Sequence, residues 1–249
     1  MDKALYIAMT GAKHNMLAQV QHANNLANVN THSFKSDFAQ ARAMPVYYGD
    51  GLPTRAYALT EKAGTDFTSG SLQQTGRDLD VAIEGDGFFA VTAPDGNEAY
   101  TRVGGLHIDN LGILKTGNGL PLMGNGGPIA LPPSEKVEIG LDGSISVIPV
   151  GQGPQAPVVI DRIKLVNPEA GTLSKSDDGL FRALEEEGPL PADGNVRVVS
   201  GYLESSNVNA VNELTSMLSL SRQYEMQVKL MSTSKEMSES SARLLQMQG

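Results

Sequence analysis

All thirteen prolines of the chain fall between Pro45 and Pro191, so the first 44 residues and the last 58 contain none. Proline removes a backbone donor and clashes with the preceding helical turn. Proline-free ends are therefore free to run as long helices, and a proline-punctuated middle is not. The apolar spacing agrees. At the N-terminal end Leu5, Met9, Ala12, Met16, Ala23 and Leu26 recur in steps near 3.5 residues, interrupted once by Gln19. At the C-terminal end Ala210, Leu214, Met217, Ser221, Tyr224, Val228, Met231, Lys235, Ser238, Ala242 and Leu245 step 4-3-4-3, with no glycine between Gly201 and Gly249. Both patterns predict a helix carrying a seam for another helix. The first is predicted to end near Asn28 and the second to span 207–246, capped by Ser205, Ser206 or Asn207.

Length decides what such a helix does. Residues 207–246 make a rod of roughly 60 Å, whereas a compact domain of about 120 residues has a radius of gyration of roughly 14 Å. The rod overhangs its own body. Each seam Leu or Met left in water forfeits roughly 1.5–3 kcal/mol relative to burial, so the stripe calls for other chains. The expected subunit interface is Leu5, Met9, Ala12, Met16, Ala23, Leu26, Leu214, Met217, Tyr224, Val228, Met231, Ala242 and Leu245. A free monomer is expected to have frayed ends that order on assembly. Eight of the ten methionines lie in these ends, where flexible thioethers suit dissimilar neighbours.

Between the ends, short β-favouring runs alternate with Asp95-Gly96, Asn125-Gly126, Asp142-Gly143 and Asp193-Gly194, dipeptides suited to tight hairpin turns. The expected fold class is α+β. Residues 1–32 and 204–249 form a helical assembly domain of long helices paired in coiled-coil fashion, 79–203 form a central all-β domain, and 33–78 form a partly β connector. Within that connector, Gly64 to Gly76 reads as a polar link.

The net charge of −9 argues against nucleic acid, whose phosphates demand basic surface. Residues 33–203 hold 22 acidic against 13 basic side chains, so the acidic excess belongs to the middle and the ends are nearly neutral. The chain has no cysteine, which removes disulfides, thiolate metal sites and a thiol nucleophile. No stretch reaches a membrane span, and Ala4 to Met9 is too short for a secretory apolar region. His14 and His22 stand eight residues apart, unlike the i,i+4 pair of a helical metal site. Ser232 to Lys235 matches an S-x-x-K string without its partner motifs. The glycines from Gly117 to Gly127 lack phosphate-loop spacing. No catalytic set, cofactor, metal or small-molecule substrate is expected.

Two strings carry a resemblance. Ala23 to Thr31, containing Asn24, Asn25, Asn28 and Asn30 and followed by Phe34-Lys35, resembles the N-terminal signature of bacterial flagellar rod and hook proteins. Gly201 to Asn209, containing Asn207 and Asn209, with Arg222, Tyr224 and Glu225, resembles their C-terminal signature. Asp80 to Phe89, including Gly85, Gly87, Phe88 and Phe89, is similar to the opening of the family's middle domain. The length and the Glu225 to Lys229 string resemble the proximal-rod branch. Ser33 departs from the pattern, standing where the family commonly has glycine; if that turn needs a positive φ, Ser33 is strained. The resemblance implies a structural subunit of the rod, a torque-transmitting tube built from copies of this chain and other rod proteins. It also implies export through the flagellar type III apparatus without signal cleavage, and a location in the basal body across the periplasmic space. The competing readings are another axial paralogue, distal rod or hook, and a non-flagellar coiled-coil dimer presenting a β binding module.

Overall fold

A computed structural model describes residues 3–38, 41–46, 55–60, 64–150, 157–169, 171–176, 178–184 and 188–246. The chain divides into two compact units, one of Met1–Val29, Lys35–Phe67 and Val208–Gly249, the other of Asn30–Phe34 and Thr68–Asn207.

The first unit contains both helices found among the described residues, α1 (Lys3–Ala27) and α2 (Ala210–Gln246), packed along each other. It also contains β1 (Asp37–Phe38), β2 (Ala41–Val46), β3 (Arg55–Thr60) and β4 (Gly64–Thr65), paired antiparallel as β1 with β4 and β2 with β3. α1 stops where its asparagines begin to compete for the backbone. Asn28 donates its side-chain amide to the Asn24 carbonyl at 3.0 Å, and its N–H bonds the Asn25 carbonyl at 3.0 Å, tightening the last turn. α2 starts on Asn209, not on the expected Ser205, Ser206 or Asn207. The Asn209 Oδ1 accepts from the N–H groups of Val211 and Asn212, as an N-cap does.

The expected fold class is corrected in its helical part. In a coiled-coil pairing the apolar 4-3 seam would face inward. The inward face of α1 instead runs through Leu5, Ala8, Ala12, Asn15, Gln19, His22 and Leu26, while Met9, Met16 and Ala23 are exposed. On α2 it runs through Ala210, Glu213, Met217, Leu220, Gln227, Met231 and Ser234, while Leu214, Tyr224 and Val228 are exposed. Each inward face keeps part of the apolar stripe, Leu5, Ala12 and Leu26 on α1 and Ala210, Met217 and Met231 on α2, and turns the rest of it outward. Small and polar groups share the inside with these side chains. A Cβ on Gly11 would come within 3.1 Å of the Gln227 amide, and His22 Nδ1 meets Glu213 Oε2 at 2.5 Å. Ala8, Gly11 and Ala12 leave room for close approach, and Met9, Met16, Leu214, Tyr224 and Val228 are turned out.

Among the described residues the regular elements of the second unit are all strands. Its strands are β5 (Leu72–Gln74), β6 (Val81–Glu84), β7 (Phe88–Thr92), β8 (Glu98–Thr101), β9 (Leu106–Ile108), β10 (Leu114–Thr116), β11 (Ser134–Ile139), β12 (Ser144–Pro149) and β13 (Val158–Arg162). They continue with β14 (Leu165–Val166), β15 (Leu173–Lys175), β16 (Phe181–Ala183), β17 (Arg197–Ser200) and β18 (Tyr202–Glu204). They form a five-stranded antiparallel sheet ordered β14-β7-β8-β16-β15, a three-stranded sheet β11-β12-β13, and the pairs β9–β10, β6–β17 and β5–β18. β4 and β5 lie within the stretch read from sequence as a polar link. One apolar cluster serves these sheets, with Phe89, Val91, Leu106, Leu114, Leu122, Ile145 and Val198 fully enclosed. The Asp95-Gly96 and Asp142-Gly143 turns join β7 to β8 and β11 to β12, with glycine φ of 82° and 81°. Asp193-Gly194 joins no hairpin and precedes β17, so that reading is corrected.

Candidate functional site

On the first unit the candidate site is the outward face of its helices. Met9, Met16, Leu214, Tyr224 and Val228, expected at a subunit interface, are among the exposed large apolar residues, and Ala23 and Ala242 are exposed too. Leu5, Leu26, Met217 and Met231 are half-buried and Ala12 is buried, so these are used at least partly within the chain. The Leu245 side chain lies outside the described residues. The sequence reading missed Ile7, Leu17 and Val20 on α1 and Val211, Leu218, Met226, Leu230 and Met237 on α2, which share the exposed surface. The signal was present in their composition but was set aside by choosing one heptad phase. A shallow groove of about 460 Å³ runs along α2, lined by Thr215, Leu218, Ser219, Arg222, Gln223 and Met226. Glu225 is exposed beside it.

The N-terminal motif asparagines have separate local tasks. Asn25, 2% exposed, donates its amide to the Asp37 carbonyl at 2.8 Å and accepts from the Asp37 N–H at 3.1 Å. One side chain thereby imitates a strand partner and seats β1. The Asp37 carboxylate in turn accepts from the Thr65 hydroxyl at 2.8 Å on β4. Asn24 and Asn28 close the helix end, Asn30 is exposed, and Lys35 is buried.

In the second unit Arg102 links Glu204, in the C-terminal string, to the Gly85–Gly87 turn of the middle string. The Glu204 carboxylate accepts from Arg102 Nε at 2.7 Å and from the Gly70 N–H at 2.8 Å, and both side chains of the ion pair are 1% exposed. Arg102 spends its other donors on the carbonyls of Gly87 and Gly85 and on Ser69. The Glu204 carbonyl accepts from the Ser33 N–H at 2.9 Å. A buried pair of this kind holds only because nearly every donor and lone pair is used. Close approach requires the glycines: a Cβ on Gly70 would lie 2.0 Å from the Ser205 carbonyl oxygen, and one on Gly104 1.5 Å from that of Val81. Gly87 adopts a φ of 133°, while Gly85 turns at 84° on the surface. Phe88 and Phe89 are buried, with Phe88 packed 5.3 Å from Phe181 between ring centres. The Lys175 ammonium sits 4.4 Å over the Phe34 ring. Asn207 donates to the Thr68 carbonyl at 3.2 Å.

Ser33 has the positive φ, 59°, that its place in the motif implied, and its buried hydroxyl makes no hydrogen bond among the described residues. Several of the perturbed titratable groups serve turns. Asp142 is held below the usual carboxylate range by the hydroxyl and N–H of Ser144, and Asp109 by Lys115 and the Ile113 N–H. Among the described residues no three His, Asp or Glu side chains gather as a metal site, and no helix is long and apolar enough to cross a membrane. This chemistry is that of joints and faces.

Comparison with known proteins gives these joints a context. Residues 199–244 match the family model described as flagellar basal body rod FlgEFG protein C-terminal, and residues 82–147 match that of the flagellar hook protein FlgE/F/G D1 domain. The chain is 41% identical to the flagellar basal-body rod protein FlgF of Escherichia coli, over 94% of each chain. The chain belongs to the flagellar basal-body rod protein family. It is also 40% identical to FlgF of Salmonella typhimurium, over 99% of this chain and 100% of that one, and 32% identical to the rod protein FlgG of Bacillus subtilis, over 95% and 96%. Within this set the resemblance is greater to FlgF than to FlgG. The FlgEFG C-terminal match takes in Glu204, Asn207, Asn209, Arg222 and Glu225, and the D1 match takes in Gly85, Gly87, Phe88, Phe89 and Arg102.

Proposed function

We propose that this protein is a structural subunit of the flagellar rod, most akin to its proximal segment, without catalytic activity. It assembles with copies of itself and with other rod proteins by burying the outward faces of α1 and α2, and the many parallel helix contacts carry torque. It reaches the rod through the flagellar type III export apparatus and works in the basal body across the periplasmic space. The observation that carries this reading is the exposed apolar surface of α2, on which Leu214, Leu218 and Val228 are respectively 48%, 63% and 42% exposed. A helix of 37 residues, about 56 Å long, has no use for such side chains in water.

The test is substitution on that face in the full chain. Leu218→Glu, being exposed, is expected to leave the melting temperature of the isolated protein nearly unchanged, within about 0.5 kcal/mol of stability. The same variant is expected to abolish incorporation into the rod and to stop swimming on soft agar. Normal motility with Leu214→Glu, Leu218→Glu and Val228→Glu combined would refute assembly through this face.

A further inference from the structure

The sequence holds two Asn-Gly pairs, Asn118-Gly119 and Asn125-Gly126, and all four residues are exposed. We propose that Asn125 is a site of spontaneous deamidation in the native protein and that Asn118 is protected from it. The reaction needs only the chain and water. The Gly126 amide nitrogen, losing its proton to solvent base, attacks Asn125 Cγ. An N–Cγ bond forms, the Cγ–Nδ2 bond breaks, and ammonia leaves with the proton that completes it. Water then opens the five-membered succinimide at either carbonyl, giving an aspartyl or an isoaspartyl residue.

Asn-Gly is the favoured sequence because glycine brings no Cβ against the attacking path. What separates the two pairs is therefore the nucleophile. The Gly119 N–H donates to the Thr116 carbonyl at 2.7 Å, closing the turn after β10. Attack there requires this bond to break. The Gly126 N–H makes no hydrogen bond among the described residues, and nothing stands within 4 Å of the position a Cβ would take. The loop is closed instead by its flanks, where the Gly124 N–H bonds the Gly127 carbonyl at 2.7 Å. The product matters locally. The Asn125 N–H points at Asp161 Oδ1 at 3.4 Å, so conversion sets a second carboxylate near Asp161, and the isoaspartyl form lengthens the loop backbone.

The experiment incubates the full-length native protein in mildly alkaline buffer, then measures both asparagines by peptide mapping with mass spectrometry, using Asn125→Asp as the standard for the aspartyl product. Asn125 is expected to convert about tenfold faster than Asn118, the factor corresponding to one backbone hydrogen bond. In urea, with the fold lost, the two rates are expected to agree within about twofold, since each pair is then a free Asn-Gly. Equal rates in the native protein, or a faster Asn118, would overturn the assignment. A difference that persists unchanged in urea would overturn it as well, because the cause would then lie outside the fold.

Discussion

Ser33 shows what a single side chain can cost at a joint. Its φ of 59° belongs to glycine, and its buried hydroxyl has no partner among the described residues. Left-handed backbone costs a non-glycine residue on the order of 1 kcal/mol, and an unsatisfied buried hydroxyl adds about as much. Against this, glycine enlarges the unfolded ensemble by about 0.4–1 kcal/mol. Ser33→Gly is therefore expected to stabilise the protein by about 1 kcal/mol, read as a higher urea midpoint with an unchanged slope. A lower midpoint would mean that the hydroxyl has a partner in solution. Glu204, two chain segments away in sequence but bonded to the Ser33 N–H, illustrates the opposite economy, since its buried charge is matched by Arg102 and Gly70.

At the level of elements, the helices separate what periodicity reveals from what it hides. Existence, type and length were legible, because proline-free stretches with 3–4 spacing have few other outcomes: α1 covers Lys3–Ala27 and α2 Ala210–Gln246. Phase was legible only in part: Leu5, Ala12, Leu26, Met217 and Met231 of the seam turn inward, and Met9, Met16, Leu214, Tyr224 and Val228 do not. A seam chosen by hydrophobicity assumes that the greasiest face turns inward, and on these helices Met9, Met16, Leu214 and Val228 turn outward instead. The divided seam gives a direct test. Ala12 is 5% exposed while Met9 is 52% exposed. Ala12→Leu is expected to overpack the pair and cost about 1–3 kcal/mol, whereas Met9→Gln is expected to change stability by less than about 0.5 kcal/mol. Circular dichroism melts of the two variants check this, and the reverse order would restore the apolar seam. The short strands escaped for a related reason. β5 is Leu72-Gln73-Gln74, exposed at all three positions and polar at two, so no alternation marks it; it exists because β18 presents an edge in register, Tyr202 opposite Gln74 and Glu204 opposite Leu72. The motif residues, Arg102 in its Tyr100 to Gly104 string among them, were found by resemblance, but the pairing of Arg102 with Glu204 was not legible, as the two are 102 residues apart.

For the molecule as a whole, the subunit reading separates the surface offered to neighbours from the interior that must survive alone, and the β unit owes its own stability to groups that water never reaches. Tyr100 on β8 is completely enclosed, and its hydroxyl accepts from the Leu190 N–H at 2.8 Å. Burial pushes its pKa up to about 12, with the Leu190 bond acting in the opposite sense and nearby Glu98 adding to the rise. The sign of the linkage follows from which state holds the proton. Below about pH 10 the phenol is neutral both folded and unfolded, and ionisation contributes no difference. Between about 10 and 12 the unfolded chain loses the proton and the native protein keeps it, so stability falls as pH rises through this window. Lysines titrate in the same range, so the diagnostic quantity is the difference between the wild-type chain and Tyr100→Phe. At neutral pH the variant is expected to be less stable by about 1–3 kcal/mol, because the Leu190 N–H loses its acceptor. As pH rises toward 12 the wild-type advantage is expected to shrink, measured as urea midpoints at successive pH values with phenolate absorbance followed in parallel. A difference that stays constant across the window would show that Tyr100 ionises as readily in the folded protein as in the unfolded chain, and that the enclosed centre of the five-stranded sheet admits water.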